Sequence, residues 1–473
     1  MENSIEKQTG APLGRENIMG TMPVGALLAK LSVPMMISML VQALYNVVDS
    51  IFVSQVSEAA LTSVSLAFAL QNMMIAVGVG TGVGVNAMLS KSLGEKDQKS
   101  ADRAAVNGLF LAWVSCAVFM LIGLFMLPLY FGAQSTDPTI VKGGIDYLFV
   151  CCVFSQGLFL SLLQEKLLAS TGRTHYAMIC QMTGAIANII LDPIFIFGYC
   201  GEFLSGTRGA AVATVLGQFL GAGVGLYFNL RKNPDIHISL KGFRPHLPTI
   251  GRIYAVGAPS IAMQCVGSVM VFFLNRILMA FSSTAVAVFG VYFKLQSFAF
   301  MPVFGLNNGM VPIISYNYGA RRPDRVKETI RLAAFTAEAI MLLGFAVFQL
   351  FPDTALALFN ASEQMLSIGE VALRIISISF LLAGLSVVFC SVFQALGNGL
   401  YSLYVSIGRQ LVVLVPVAWV LSRFGRLDLV WWSFPIAEAV SLTLCVIFMA
   451  VLDRKIIRPM ARKDAAGGTN ASE

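Results

Sequence analysis

Long apolar stretches broken by short polar ones dominate this chain. Twelve apolar runs stand out, near residues 31–54, 59–89, 104–130, 147–170, 175–199, 209–230, 252–281, 284–314, 329–351, 371–396, 400–422 and 429–452. Each exceeds the ~20 residues that a helix needs to cross hydrocarbon. The pattern therefore predicts an all-α membrane protein with twelve transmembrane helices. A second regularity lies over the first. Without a gap, Pro34, Gln71, Gly80, Gly84, Ser90, Gly94 and Gly172 lie 225 positions before Pro259, Gln296, Gly305, Gly309, Ser315, Gly319 and Gly397. Agreement at one fixed offset predicts two pseudo-symmetric six-helix lobes.

The polar stretch R-K-N-P-D-I-H-I-S-L-K-G-F-R-P-H-L-P-T-I-G at 231–251 divides six spans from six. We read 1–230 as an amino-terminal lobe carrying a cation-coupling site and 231–251 as a cytoplasmic linker. The carboxy-terminal lobe, 252–473, ends in a basic tail. Six is an even number, so both halves enter the bilayer from the same side. That makes a parallel repeat about an axis along the membrane normal, and such halves can rock against each other. Gly80-x-x-x-Gly84 and Gly305-x-x-x-Gly309 put two small residues on one helix face and predict close helix contact. Pro34, Pro193, Pro259, Pro302, Pro312, Pro416 and Pro435 each remove a backbone hydrogen bond within a span. For Pro193 the freed carbonyl is that of Ile189, between Asn188 and Asp192.

Composition agrees with a polytopic membrane protein: 57% hydrophobic and 12% charged residues, with a mean hydropathy of +0.76. The net charge of +7 is placed asymmetrically. Lys91, Lys96, Lys99 and Arg103, then Lys166 and Arg173, then Arg231, Lys232, Lys241, Arg244 and Arg252, then Arg321, Arg322, Arg325, Lys327 and Arg331 all follow even-numbered spans. Loops rich in Lys and Arg stay in the cytoplasm, so both termini are expected there. Anionic headgroups, not nucleic acid, are the expected partner of this charge. The eight cysteines show no metal-ligand spacing and read as apolar filler. The polar first 24 residues predict no cleaved signal peptide.

Candidate chemistry is concentrated in the first repeat. Asp49 and Asp192 lie inside apolar runs with no Lys or Arg at their depth, where the second repeat has Leu274 and Val417. Asn188 and Asp192 are four apart and share one helix face. Counting from the span ends places Asp49 about eighteen residues in, Asp192 about seventeen, and Thr214 about five from the opposite end of span six, so all three share one depth. A carboxylate in hydrocarbon costs several kcal/mol and must be protonated, paired or coordinating a cation. Two neighbouring carboxylates also raise each other's proton affinity, as loading and release require. In the second repeat, Lys294, Glu338, Arg409 and Glu438 lie near mid-span, two of each sign, and are expected to pair. Gln71 and Gln296, as repeat mates, with Lys294, Phe300, Met301 and Glu338, are candidates to line a cargo cavity. The 34 Phe and 22 Met offer deformable apolar walls. No G-x-x-x-x-G-K-[ST] is present, which points to secondary transport. An enzyme is not expected, since it would want paired acidic metal motifs such as D-D-x-x-D or a catalytic His, and the three His residues lie at interfaces or in the linker.

The strings Y-N-V-V-D-S-I-F-V at 45–53, N-I-I-L-D-P-I-F-I-F-G at 188–198, G-A-A-V-A-T at 209–214, K-L-Q-S-F-A-F-M-P-V-F-G-L at 294–306 and P-I-I-S-Y-N-Y-G-A at 312–320 are similar to those of the multidrug and toxic compound extrusion (MATE) transporters, and within them the bacterial MepA-like group. The resemblance covers nearly the whole chain. It implies two lobes in a V around a central cavity, in a bacterial cytoplasmic membrane, with Na+ or H+ moving inward as an organic cation moves outward. It also implies that Asp49, Asn188, Asp192 and Thr214 match the family's amino-lobe cation site, where Na+ would be held. No cofactor is expected beyond that coupling ion. The expected partners are lipophilic, often aromatic cations and membrane lipid, and the expected working unit is a monomer. One departure is that spans seven and ten carry no buried acid, Glu370 standing only at the edge of span ten. A lipid-linked sugar flippase of the same superfamily remains an alternative, as does an intramembrane enzyme acting on lipid.

Overall fold

A computed structural model describes residues 17–460 apart from 55–57, 200, 202–204, 240–241 and 358–361, and without the side chains of Asn46, Val47, Asp49, Ser50, Ile51, Val53, Ser54, Glu58, Ala59 and Leu61. Among the described residues the structure is helical, with no strand. Ten helices are long and apolar enough to cross a bilayer, and two bent helix pairs bring the number to twelve when each pair is one span. In the first half these are span one, Val24–Ser54; two, Glu58–Gly94; three, Gln98–Phe125; four, Pro138–Val153 with Gln156–Ser170; five, Thr174–Ile196; and six, Gly206–Arg231. In the second half they are seven, Leu247–Met279; eight, Ser283–Gly319; nine, Pro323–Leu350; ten, Glu363–Ser377 with Phe380–Ala395; eleven, Gly399–Ser422; and twelve, Ser433–Leu452. Span seven starts earlier than apolarity suggests. His246 caps it, its ring nitrogen accepting from the Thr249 N–H at 3.3 Å, and Pro248 supplies a pre-set φ in the first turn.

The repeat extends to details of geometry. Spans four and ten are bent by 49° and 52° at matching positions. The short helices Leu127–Gly132 and Pro352–Ala357 occupy matching positions too. Lys96 and Arg321, which are repeat mates, are the non-glycine residues with positive φ among those described, at 59° and 56°. Spans four and ten end in a left-handed glycine, Gly172 at +79° and Gly397 at +80°, where a Cβ would be strained. The Ser90 hydroxyl donates to the Ser170 carbonyl at 2.9 Å, and its mate Ser315 donates to Ala395 at the same distance.

The lobes meet where span one packs on eight, two on seven, and two on eight. Small residues make this approach possible. A Cβ on Gly84 would run into the Ile253 carbonyl, and one on Gly80 would lie 2.9 Å from the Gly257 carbonyl. On the other side of the pseudo-axis, a Cβ on Gly305 would lie 2.5 Å from the Met36 Cα. At the end nearest the linker the contact tightens, Gly94 lying on the Tyr316 carbonyl and Gly319 on that of Lys91. A short helix, Ile18–Thr21, spans this end: Asn17 donates to Thr171 O at 3.2 Å, while Asn317 and Arg325 donate to Met19 O at 3.1 and 3.0 Å. The linker side of the lobe interface is thus closed.

One charge does not lie where its sequence position suggests. Lys166 is inside span four, four residues before its end, and buried together with Glu165. Only Arg173 of that pair lies in the turn, where it forms an ion pair with Asp235. Burial of Lys166 follows from Gly82 on span two, which leaves room for the lysine stem.

Candidate cation and cargo site

The site is built where spans five and six come together. Gly184 lies one turn before Asn188 on span five, and Gly217 lies one turn after Thr214 on span six. A Cβ on Gly217 would lie 2.7 Å from the Gly184 carbonyl and 3.2 Å from the Asn188 Cβ. Ala185, Ala210, Ala211 and Ala213 are buried around the same contact. Two backbones this close allow short side chains to meet. Asn188 Nδ2 donates to Asp192 Oδ1 at 3.2 Å and to Thr214 Oγ1 at 3.3 Å. The three residues are 2%, 0% and 5% exposed.

This cluster is rich in oxygen. The Asp192 carboxylate, the Thr214 hydroxyl and the Asn188 amide lie within one hydrogen-bonded unit, and Asn188 Oδ1 accepts no bond among the described residues. A buried amide oxygen left without a donor is costly. It is the kind of group that a small hard cation satisfies, since such ions take carboxylate, hydroxyl and carbonyl oxygens. Span one packs against span five, and the Ser38 hydroxyl donates to Gln181 across that contact. Asp49 lies eleven residues beyond Ser38, and Asp192 eleven beyond Gln181, each about 16 Å further along a helix running the same way. The backbone thus brings Asp49 to the level of Asp192, although the Asp49 side chain lies outside the described residues.

A charged neighbour was missed from sequence. Arg208, at the start of span six, bonds Asp146 of span four at 2.7 Å, which ties that end of the lobe together. Its position two turns from Thr214 was legible; its partner was not.

The cavity candidates are dispersed. Gln71 and Gln296 do not bond each other, and Gln71 accepts from the Tyr147 hydroxyl at 3.3 Å. Lys294 is exposed on span eight, and Met301 is half-buried. Phe300 packs edge-on to Phe380, with centroids 5.4 Å apart, and Phe380 packs on Phe348, so this ring contributes to the carboxy-lobe core. Glu338 is half-buried on span nine with Oε2 against Gly384, and it forms no ion pair among the described residues. The expected pairing holds for one couple: Arg409 Nη1 meets Glu438 Oε2 at 3.1 Å between spans eleven and twelve. Arg409 sits on a π-helical stretch, Gly408–Leu414, whose wider turn re-aims it. Glu370 pairs with Arg374 at 2.8 Å on span ten.

The MatE family model matches this chain twice, over residues 34–194 and 259–420, so the internal repeat is the repeat of that family. The chain belongs to the MATE family. Among its relatives, Multidrug export protein MepA of Staphylococcus haemolyticus is 26% identical over 434 residues, covering 90% of this chain and 93% of that one. MepA of Staphylococcus aureus strain NCTC 8325 is 24% identical over 438 residues, covering 91% and 94%. A solved structure described as the outward-facing conformation of a multidrug resistance MATE family transporter of the MOP superfamily superposes with a TM-score of 0.88. It is 26% identical and covers 95% of this chain and 99% of that one. A Pyrococcus furiosus MOP superfamily transporter, for which reverse polarity of the binding pocket is said to suggest a different function, also gives 0.88 at 27% identity, covering 95% and 99%. This protein is thus a MATE-family transporter with the twelve-span, two-lobe fold.

Proposed function

We propose that this MATE protein is a secondary antiporter that exports lipophilic organic cations in exchange for Na+ or H+, with coupling seated in the amino lobe. The observation that carries this reading is the buried unit of Asn188, Asp192 and Thr214. Lys and Arg crowd the linker side, which makes that side cytoplasmic, with both termini there. A closed linker side then corresponds to a transporter facing outward. Rotating the Asn188 amide half a turn presents Oδ1 in place of Nδ2 to the point between Asp192 and Thr214, so the unit exchanges a hydrogen-bonded empty form for an oxygen-lined loaded one. Loading with Na+ or H+ neutralises the carboxylate, which weakens a cationic cargo nearby and links the two fluxes.

The test is dye efflux from proteoliposomes with the Na+ and pH gradients imposed separately. Export of cationic dyes driven by either gradient is the expected result. Indifference to both gradients would reject antiport, and a preference for anionic cargo would favour the flippase reading.

A further inference from the structure

We infer that Lys166 is a polar bolt across the lobe interface which, acting through Asn308, sets how readily the linker side opens. The inference rests on the two-lobe alternating-access reading above and adds a named determinant to it. Lys166 belongs to span four of the amino lobe and Asn308 to span eight of the carboxy lobe. Lys166 Nζ donates to Asn308 Oδ1 at 2.9 Å. The lysine is 4% exposed, and its counter-charge is Glu165, with Nζ 3.8 Å from Oε1.

Three features separate this contact from ordinary packing. First, a buried ammonium needs both a counter-charge and hydrogen-bond acceptors. Glu165 supplies the charge from the same helix, whereas Asn308 is an acceptor that rocking of the lobes would remove. The bond therefore exists in the closed arrangement and is replaced by water in the open one. Second, the other contacts closing this end are backbone approaches, Gly94 on Tyr316 and Gly319 on Lys91, and less buried charges, Lys91 over the Tyr318 ring and Arg325 on the Met19 carbonyl. Lys166, by contrast, is a fully buried charge bonded across the seam. Third, the bolt breaks the repeat. The mates of Lys166 and Asn308 are Ser391 and Val83, and the Ser391 hydroxyl turns back onto the Val387 carbonyl of its own helix at 3.1 Å. Only one side of the pseudo-axis carries this bond, so it is not a by-product of duplicated packing.

A hydrogen bond to a charged group is strong enough to move a two-state equilibrium roughly tenfold or more. The test is backbone hydrogen exchange of the full chain in lipid nanodiscs, without cargo or gradient, followed at residues 86–94 and 311–319. Asn308→Ala should speed exchange there roughly tenfold or more. Asn308→Asp, which makes the bolt an ion pair, should slow it. Span nine should stay unchanged in both variants, which reports an intact fold. Where Asn308→Ala does not fold, Asn308→Ser, which shortens the acceptor, replaces it. Opposite shifts support the bolt; equal exchange in both variants, or shifts of the same sign, overturn it. Because no gradient is used, opposite shifts in a protein that shows no coupled efflux would reject the antiport reading and leave the bolt standing.

Discussion

Asp192→Asn isolates charge from shape. The substituted amide keeps an oxygen where Asn188 Nδ2 donates at 3.2 Å, so the contact between spans five and six survives. A charge-assisted hydrogen bond becomes a neutral one, which costs about 1 kcal/mol of stability. Removal of the neutralising partner for a bound cation is larger. For a charge about 3–5 Å from the carboxylate, with an effective dielectric constant of about 20, the lost attraction is roughly 3–5 kcal/mol. That is at least a hundredfold in affinity for Na+, and it removes the proton site altogether. The assay pairs a thermal melt, expected to move by a few degrees, with dye efflux from proteoliposomes under separate Na+ and pH gradients, expected to fall to background. A variant that folds and still exports dye down either gradient at the parent rate would refute the assignment of coupling to Asp192.

Other substitutions test neighbouring links. Asn188→Ala and Thr214→Ala should weaken Na+-driven efflux more than H+-driven efflux, because neutral oxygens matter to a coordinated ion more than to a transferred proton; equal loss under the two gradients would leave these residues as packing. Gly84→Val places carbon against the Ile253 carbonyl and should destabilise the lobe contact by about 1–3 kcal/mol, read as a lowered melting temperature. Glu438→Gln leaves the half-buried Arg409 without its counter-charge and should cost about 1–3 kcal/mol, with Arg409→Met added to the same chain recovering most of the loss; no recovery would show that the two do not act as a pair. Affinity for an ethidium-like cation should fall as either Na+ or proton concentration rises, and affinity unchanged across both titrations would rule out shared electrostatics as the origin of exchange.

Properties that are local along the chain were legible before any coordinates. Hydrocarbon tolerates few unpaired polar groups, so twelve apolar runs meant twelve spans, and an even number per repeat meant a parallel arrangement. The four-residue spacing of Asn188 and Asp192 placed both on one face of span five, because the helix period is a property of the backbone. Side-chain partners from distant helices depend instead on how each helix is rotated and how closely it approaches its neighbour. The joining of Thr214 to Asn188 waited on the Gly184 and Gly217 contact. Phe300, read as a cavity wall, packs against Phe380 within its own lobe. Lys166, counted with the loop charges, is buried because Gly82 makes room for its stem and Asn308 of the other lobe accepts its bond. Periodicity and depth follow from the order of residues; convergence follows from packing, where a missing Cβ on one helix decides which atoms of another can reach it.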